Sequence, residues 1–322
     1  MDQFYINQTW DDFDDFAAST IWELEAKQID HGRFRMEFLF FGDSDLQIAE
    51  VFYNRKLLQH GAVLSGYTFA VNHPNSNLIT WRYIEFPLNG IIVFPENREH
   101  QGVSLPNHHP FILTISEHLL TIVAEDLGLP ESNRIVRKGE ICICDPAMIR
   151  RVQTYLLSLC TVMKNTNGNY LKNQNIHEAK WKITRLILLS LASSETYMSR
   201  KRQFHQRKKV VDRVLEYIGS DLNTPRSVSE LCRVAEVDER TLRNYFYEQF
   251  TLSPKKLINR YKLNLVRSAF KRIDSPGIII SDIANEAGFW HMGQFAKDYK
   301  KLFGELPSET IRRRNAQKSA KF

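Results

Sequence analysis

One short pattern occurs twice between residues 229 and 307, and it constrains the fold more than any other feature of the chain. The first copy reads Ser229-Glu230-Leu231-Cys232-Arg233-Val234-Ala235-Glu236-Val237, followed by Leu242, Phe246, Phe250 and Pro254. The second reads Ser281-Asp282-Ile283-Ala284-Asn285-Glu286-Ala287-Gly288-Phe289, followed by Phe295, Tyr299, Phe303 and Pro307. Ser, an aliphatic residue, a small residue and Ala return at an offset of 52; the later anchors and the Pro return at 53. The added residue falls between Phe289 and Phe295, where a turn absorbs it. Anchors spaced by four share one side of a helix. Two short helices joined by a tight turn, present twice, predict a double helix-turn-helix, an architecture that reads DNA.

Charge divides the chain at the same place. Residues 1–198 carry 17 Lys/Arg against 23 Asp/Glu, a net of −6, whereas residues 199–322 carry 26 against 14, a net of +12. A basic module on an acidic body predicts a polyanion-binding domain joined to one that does not bind polyanions. The 322 residues suffice for two domains. No apolar run approaches the roughly 18 residues of a membrane span, and the acidic start MDQFYINQTWDDFDDF is unlike a signal peptide. The four cysteines, Cys142, Cys144, Cys160 and Cys232, match neither a disulfide framework nor a CxxC metal knuckle. A cytoplasmic protein without a membrane partner, a cofactor or a bound metal is expected.

Residues 34–95 alternate in short apolar runs separated by turn residues, with Phe34, Met36, Phe38 and Phe40 at a period of two. A β-rich, barrel-like region is expected there, and Trp81, Arg82, Tyr83 and Phe94 are candidates either to line a ligand pocket or to fill the core. Helices are expected over 116–129, from Asp145-Pro146 onward, and over 176–198. The fold class is therefore α+β: an N-terminal β-rich sensor domain with accessory helices (1–198), a basic linker (199–209) and an all-α domain (210–322). Isolated His31, His60, His73 and His100 read as surface or core residues, and the adjacent His108-His109 lack the HxH spacing of a metal-binding cupin.

In the all-α part, motifs are expected at 227–250 and 281–303. Asp238 can cap a recognition helix over Glu239–Phe250. Helical phase puts Leu242, Phe246 and Phe250 in the core and Arg240, Arg243, Asn244 and Tyr247 on another face, where Arg and Asn suit guanine and adenine edges. In the second motif, Phe295, Tyr299 and Phe303 are the core face of His291–Phe303. His291, Met292, Gln294 and Lys297 are left outside, with His291 placed for a phosphate; Trp290 could lie on the DNA wall or pack inward. Between the motifs, Pro254–Ile273 reads as one helix with a stripe of Leu257, Tyr261, Leu265 and Ala269. Its 20 residues at about 1.5 Å each come close to the ~34–36 Å between successive major grooves on one DNA face.

These residues resemble the AraC/XylS family of bacterial transcription regulators. The stretch 280–309 is similar to the family's I-A-x-x-x-G-F … F-x-R-x-F-K-x-x-x-G-x-x-P pattern through Ile283-Ala284, Gly288-Phe289, Phe295, Lys300, Gly304 and Pro307. Lys297 stands where the family usually has Arg, Tyr299 where it has Phe, Cys232 where it has Ala and Thr251 where it has Gly. The resemblance covers about residues 208–310. It implies base contacts from Arg240, Arg243 and Asn244, and from Met292, Gly293, Gln294 and Lys297; Thr241 is a further candidate for DNA contact. It also implies an activator that works with double-stranded DNA and RNA polymerase, with a small-molecule effector or a protein partner and a homodimer formed through the N-terminal domain. Two other classes make different demands on the sequence. An enzyme fused to the DNA reader, such as a repair methyl acceptor, needs an activated or zinc-held Cys; a nonspecific architectural protein does not need Arg and Asn on a reading face.

Overall fold

The computed structural model describes the chain except residues 1–2, 20–22, 63–65, 77–78, 82–83, 95–99, 131–134, 137–140, 172–174, 197–201, 221–226, 273–278 and 320–322. The chain divides into two compact units. One comprises Met1–Glu25, Arg35–Asn54 and Gln59–Ser199; the other comprises Ala26–Phe34, Arg55–Leu58 and Arg200–Phe322.

The N-terminal unit is β-rich, as the alternation implied. The strands lie in two sheets whose orders run from edge to edge among the described residues, so the β-rich region consists of sheets and not a closed barrel; residues 26–28 and 57–58 count with the other unit. The larger sheet is built from β1 (Phe4–Trp10), β3 (Met36–Gly42), β4 (Leu46–Tyr53), β11 (Pro110–Ile115), β6 (Tyr67–Asn72), β9 (Gly90–Val93), β12 (Ile141–Ile143) and β13 (Glu195–Thr196), in that spatial order. The smaller follows the order β2 (Glu23–Gln28), β5 (Leu57–Ala62), β10 (His100–Ser104), β7 (Ile79–Trp81) and β8 (Ile84–Glu85).

Antiparallel register lines up Phe41, Ile48, Leu113, Phe69 and Val93 as one row across five strands. Every member of the row is buried, together with side chains of three helices: α2 (Glu117–Asp126), α3 (Pro146–Asn165) and α4 (Asn175–Ala192). Alternation turns Ala70 and Ile92 to the opposite face, where they join Phe86 and Ile141. The expected Met36/Phe38/Phe40 face meets α1 (Phe13–Ala17), with the Phe16 and Phe38 rings 4.9 Å apart, while Leu39 and Phe41 enter the main core. Central strands covered on both faces cannot show clean polar–apolar alternation.

The expected caps are present. Ser116 Oγ accepts from Leu119 N–H at 3.1 Å, and Asp145 accepts from Ala147 and Met148 N–H at 2.8 and 3.1 Å. In α4, Ile187 and Leu191 are buried, Trp181 and Leu186 are half-buried, and Leu189 is exposed.

A buried ion cluster ties α4 to the turn between β3 and β4. Lys180 Nζ lies 2.6 Å from Asp43 and 3.0 Å from Asp45. Burial works against the Lys180 charge, but its bonds to Asp43 and Asp45 outweigh that and raise its pKa. The Lys180 bond in turn holds Asp45 below the ordinary carboxylate value. The Asp45 contribution to stability is lost as pH falls through its lowered native pKa, and the Lys180 contribution as pH rises through its raised one. This cluster is expected to contribute fully between about pH 5 and pH 9 and to weaken outside that window. Thermal unfolding across pH checks it; a melting temperature that climbs below pH 5 would contradict it.

The C-terminal unit is helical from Arg202: α5 (Arg202–Ser220), α6 (Val228–Ala235), α7 (Glu239–Phe250), α8 (Pro254–Arg272), α9 (Ile280–Glu286), α10 (Met292–Phe303) and α11 (Pro307–Ser319). The basic stretch that reads as a linker is thus largely the start of α5. The stripe on α8 differs from the expected one. Leu257 is buried, but Tyr261, Leu265 and Ala269 are half-buried, and Leu263, Val266 and Phe270 enter the second motif's core. One helix serving two cores changes its buried face along its length.

Tyr299, at a position where Phe is usual, has a partner for its hydroxyl. It lies 2.9 Å from Thr310 Oγ1, which donates to Glu305 at 2.7 Å, and Glu305 also pairs with Arg267 and Arg313 at 3.0 Å each. Tyr299→Phe keeps the ring and removes one buried bond, so it is expected to cost about 1 kcal/mol, measurable by thermal unfolding.

Candidate nucleic-acid interface

The first motif is assembled by local capping. Ser227 Oγ accepts from Glu230 N–H and Glu230 accepts from Ser227 N–H, both at 3.1 Å, closing a capping box at the start of α6. The helix stops at Glu236, which adopts φ 56°, and Asp238 then starts α7 by accepting from Thr241 N–H at 2.8 Å. Leu242, Phe246 and Phe250 are fully buried on one side of α7. Arg240, Arg243, Asn244 and Tyr247 are exposed on the other, with Thr241 half-buried between them at the cap. The periodicity therefore sorted both faces.

The structure adds one feature. Arg243 Nε donates to Glu239 Oε1 at 2.8 Å, one turn earlier on the helix. Both groups are exposed, and such an i,i+4 pair contributes about 0.3–0.5 kcal/mol. This pair is therefore weak beside the roughly 1–3 kcal/mol by which a bidentate base contact discriminates against a wrong base.

The second motif is less tightly capped. Neither Ile279 before α9 nor His291 before α10 supplies a side-chain cap bond. The turn between them contains Gly288 at φ 80°, a conformation that strains any residue with a Cβ. Phe295, Tyr299 and Phe303 are buried, as expected. His291, Gln294 and Lys297 are exposed, whereas Met292 is half-buried against the core. Met292 thus divides itself between packing and any outward contact. Gln294 donates to Asp298 at 2.9 Å. A Cβ at Gly293 would meet no atom within 4 Å, so open space faces this position. Trp290 is 72% exposed, which removes inward packing as its role.

The C-terminal ends of both recognition helices are held by residues from far upstream in the sequence that belong to this same unit. Lys56 Nζ donates to Phe250 C=O at 2.9 Å, at the end of α7. Gln28 Nε2 donates to Leu302 C=O at 2.6 Å, near the end of α10, and the Gln28 backbone exchanges two 2.9 Å bonds with Asn264 of α8. A cation at a helix C-terminus satisfies carbonyls that lack helical partners. Thr251, the β-branched residue at φ 58° where Gly is usual, sits beside this Lys56 contact, with its hydroxyl 3.2 Å from the ammonium. Local pattern carried no signal for Gln28 or Lys56.

The candidate ligand residues of the N-terminal domain are less well placed. Trp81 lies in β7 opposite Gly102, and its side chain, Arg82 and Tyr83 fall outside the described residues. Phe94 packs against the Ala70–Phe86 cluster. A cleft lined by Phe41, Leu46, Ile48, Leu159 and Ile176 has room for about one water molecule, far less than an organic effector needs. Cys142 and Cys144 are buried; burial and then its neighbour Cys142 push the Cys144 thiol up to about 12, the opposite of an activated nucleophile. No helix among the described residues is long and apolar enough to cross a membrane.

Two support–turn–recognition pairs, with aromatic faces buried and polar faces outward, define a helix-turn-helix DNA-binding domain. Residues 231–313 match the sequence model of a family described as a helix-turn-helix domain. The XylDLEGF operon transcriptional activator of Pseudomonas putida is 35% identical over 101 residues, which are 31% of this chain and 32% of that protein. The chain therefore spans about a third of the length of such curated relatives. Among solved structures, the AraC-like transcriptional activator CuxR aligns over 82% of this chain and 94% of its own at 11% identity, with a TM-score of 0.44. A probable AraC family transcriptional regulator from Rhodopseudomonas palustris aligns over 33% of this chain and 96% of its own at 28% identity, with a TM-score of 0.31. Residues 231–313 thus carry a helix-turn-helix domain, and over about a third of the chain the sequence is similar to transcriptional activators such as that of the XylDLEGF operon.

Proposed function

We propose that this chain is a sequence-specific transcription activator whose α7 and α10 enter successive major grooves on one face of double-stranded DNA. The observation that carries the reading is the pair of recognition helices with core-facing aromatics and exposed polar faces, joined by the single helix α8. The 19 residues of α8 extend about 28 Å, comparable to one DNA turn. Arg240, Thr241, Arg243, Asn244 and Tyr247 contact the first groove. His291, Met292, Gln294 and Lys297 contact the second, with His291 and the uncapped N–H groups of α10 on a phosphate. Residues 1–198 bind an effector or partner and mediate dimerisation, which shifts the population able to hold the operator and recruit RNA polymerase in the cytoplasm.

Selection of bound sequences from a random duplex library, followed by salt titration on selected and random DNA, tests this reading. A common sequence held at least a thousandfold more tightly than random DNA at physiological salt is expected, on the order of the usual specificity ratio. Equal affinity for both, with the same salt slope, would leave only a nonspecific architectural protein.

A further inference from the structure

We propose that Glu50, His73 and His109 form a binding site for a divalent transition metal ion, with Zn²⁺ the best-matched chemistry. Their candidate ligand atoms all lie within 4.8 Å of one another. Glu50 is on β4, His109 immediately precedes β11, and His73 immediately follows β6, so three neighbouring strands bring them to one place. The register fixes this: Phe111 pairs with Glu50, Pro110 pairs with Asn72, and His73 N–H donates to His109 C=O at 2.9 Å.

The chemistry suits a cation. His109 Nε2 lies 3.1 Å from Glu50 Oε1, and the His73 and His109 rings stack with centroids 3.7 Å apart. His73 Nδ1 accepts a hydrogen bond from Asn75 N–H, so this ring carries an in-plane lone pair. Two imidazoles and one carboxylate are a familiar zinc donor set, with a fourth position left for water or a small anion.

Two rearrangements accompany binding. Stacked rings cannot both aim a lone pair at one ion, so one ring must tilt. His73 Nδ1 accepts from Asn75 N–H at 3.0 Å, and coordination through Nε2 moves that ring's proton to Nδ1 and breaks this contact. Lys164 Nζ, 2.8 Å from Glu50 Oε2, supplies a positive charge beside this carboxylate and competes with a metal ion for it. Its side chain is 44% exposed and can withdraw into water when a divalent ion arrives.

The test uses the full chain freed of metal by a chelator, titrated calorimetrically with Zn²⁺ and followed spectroscopically with Co²⁺. One equivalent of Zn²⁺ is expected to bind and raise the melting temperature, and Co²⁺ to give the visible bands of a four-coordinate N/O site. His109→Gln and His73→Gln, checked for native circular dichroism, are expected to weaken binding on the order of tenfold or more. Lys164→Met removes the competing ammonium and is expected to tighten it. No uptake by the wild-type chain, undiminished uptake in both His variants, or affinity in Lys164→Met equal to or below wild type overturns the proposal. None of these readouts involves DNA, so the outcome is separable from that of the DNA-binding reading.

Discussion

Replacing Lys180 by Met is expected to destabilise the N-terminal domain by about 3–5 kcal/mol, the range for removing one partner of a buried ion pair. Asp43 is 4% exposed and lies 2.6 Å from the ammonium, so Lys180→Met strands a buried carboxylate. Asp43 also accepts from Asp45 and Leu46 N–H at 2.9 and 3.2 Å, which organises the turn between β3 and β4. Without the ammonium, this turn either protonates its carboxylate or opens. A second ion pair supplies the control. Arg185 lies 2.7 Å from Asp126, but the two side chains are 46% and 48% exposed. Arg185→Met is expected to cost about 0–1 kcal/mol, because solvent screens the pair and reclaims the charge it leaves. Equal losses from the two substitutions, measured by denaturant unfolding monitored in the N-terminal domain, would show that burial does not decide the energetics here.

Arg243→Ala is expected to cost about 1–3 kcal/mol on the preferred operator and to relax the preference at its base pair. Gln294→Ala is expected to cost less. The two recognition helices are unequal in what they offer. The first exposes Arg240, Arg243 and Asn244; the second presents Gln294 already bonded to Asp298, Met292 half-buried and Gly293 without a side chain. Lys297→Ala, on the flexible cation that the proposal brings into the second groove, is expected to relax the preference there by no more than Arg243→Ala does in the first. Equal loss of discrimination from Arg243→Ala and Gln294→Ala would overturn the asymmetry.

Periodicity made the C-terminal domain legible because each helix there buries one face against a small core. Leu242, Phe246 and Phe250 recur every four residues, and Ser227 and Asp238 announce the helix starts chemically. The α8 stripe was misread for the complementary reason: that helix packs into two cores in turn, so a single period predicts only part of its buried face. Alternating apolar runs specify strands but not whether the first and last ones pair, so they announce a β-rich, barrel-like region without deciding its closure. Lys56 and Gln28 meet helix ends through contacts 194 and 274 residues apart, and no local pattern encodes that. Glu50, His73 and His109 escaped notice similarly, since neighbouring strands, not spacing along the chain, bring them together. His108-His109 drew attention as a pair, yet its partners lie on β4 and after β6.

On the proposed reading, one chain reads two major grooves a single DNA turn apart. Base-resolution footprinting on a selected operator, repeated after insertion of about 5 bp between the two protected segments, addresses it most directly. Two protected groove segments about 10 bp apart on one face are predicted, with the segment opposite α10 lost when the insertion turns it to the far side of the duplex. A footprint confined to one groove, or an affinity and footprint indifferent to the insertion, would contradict the account.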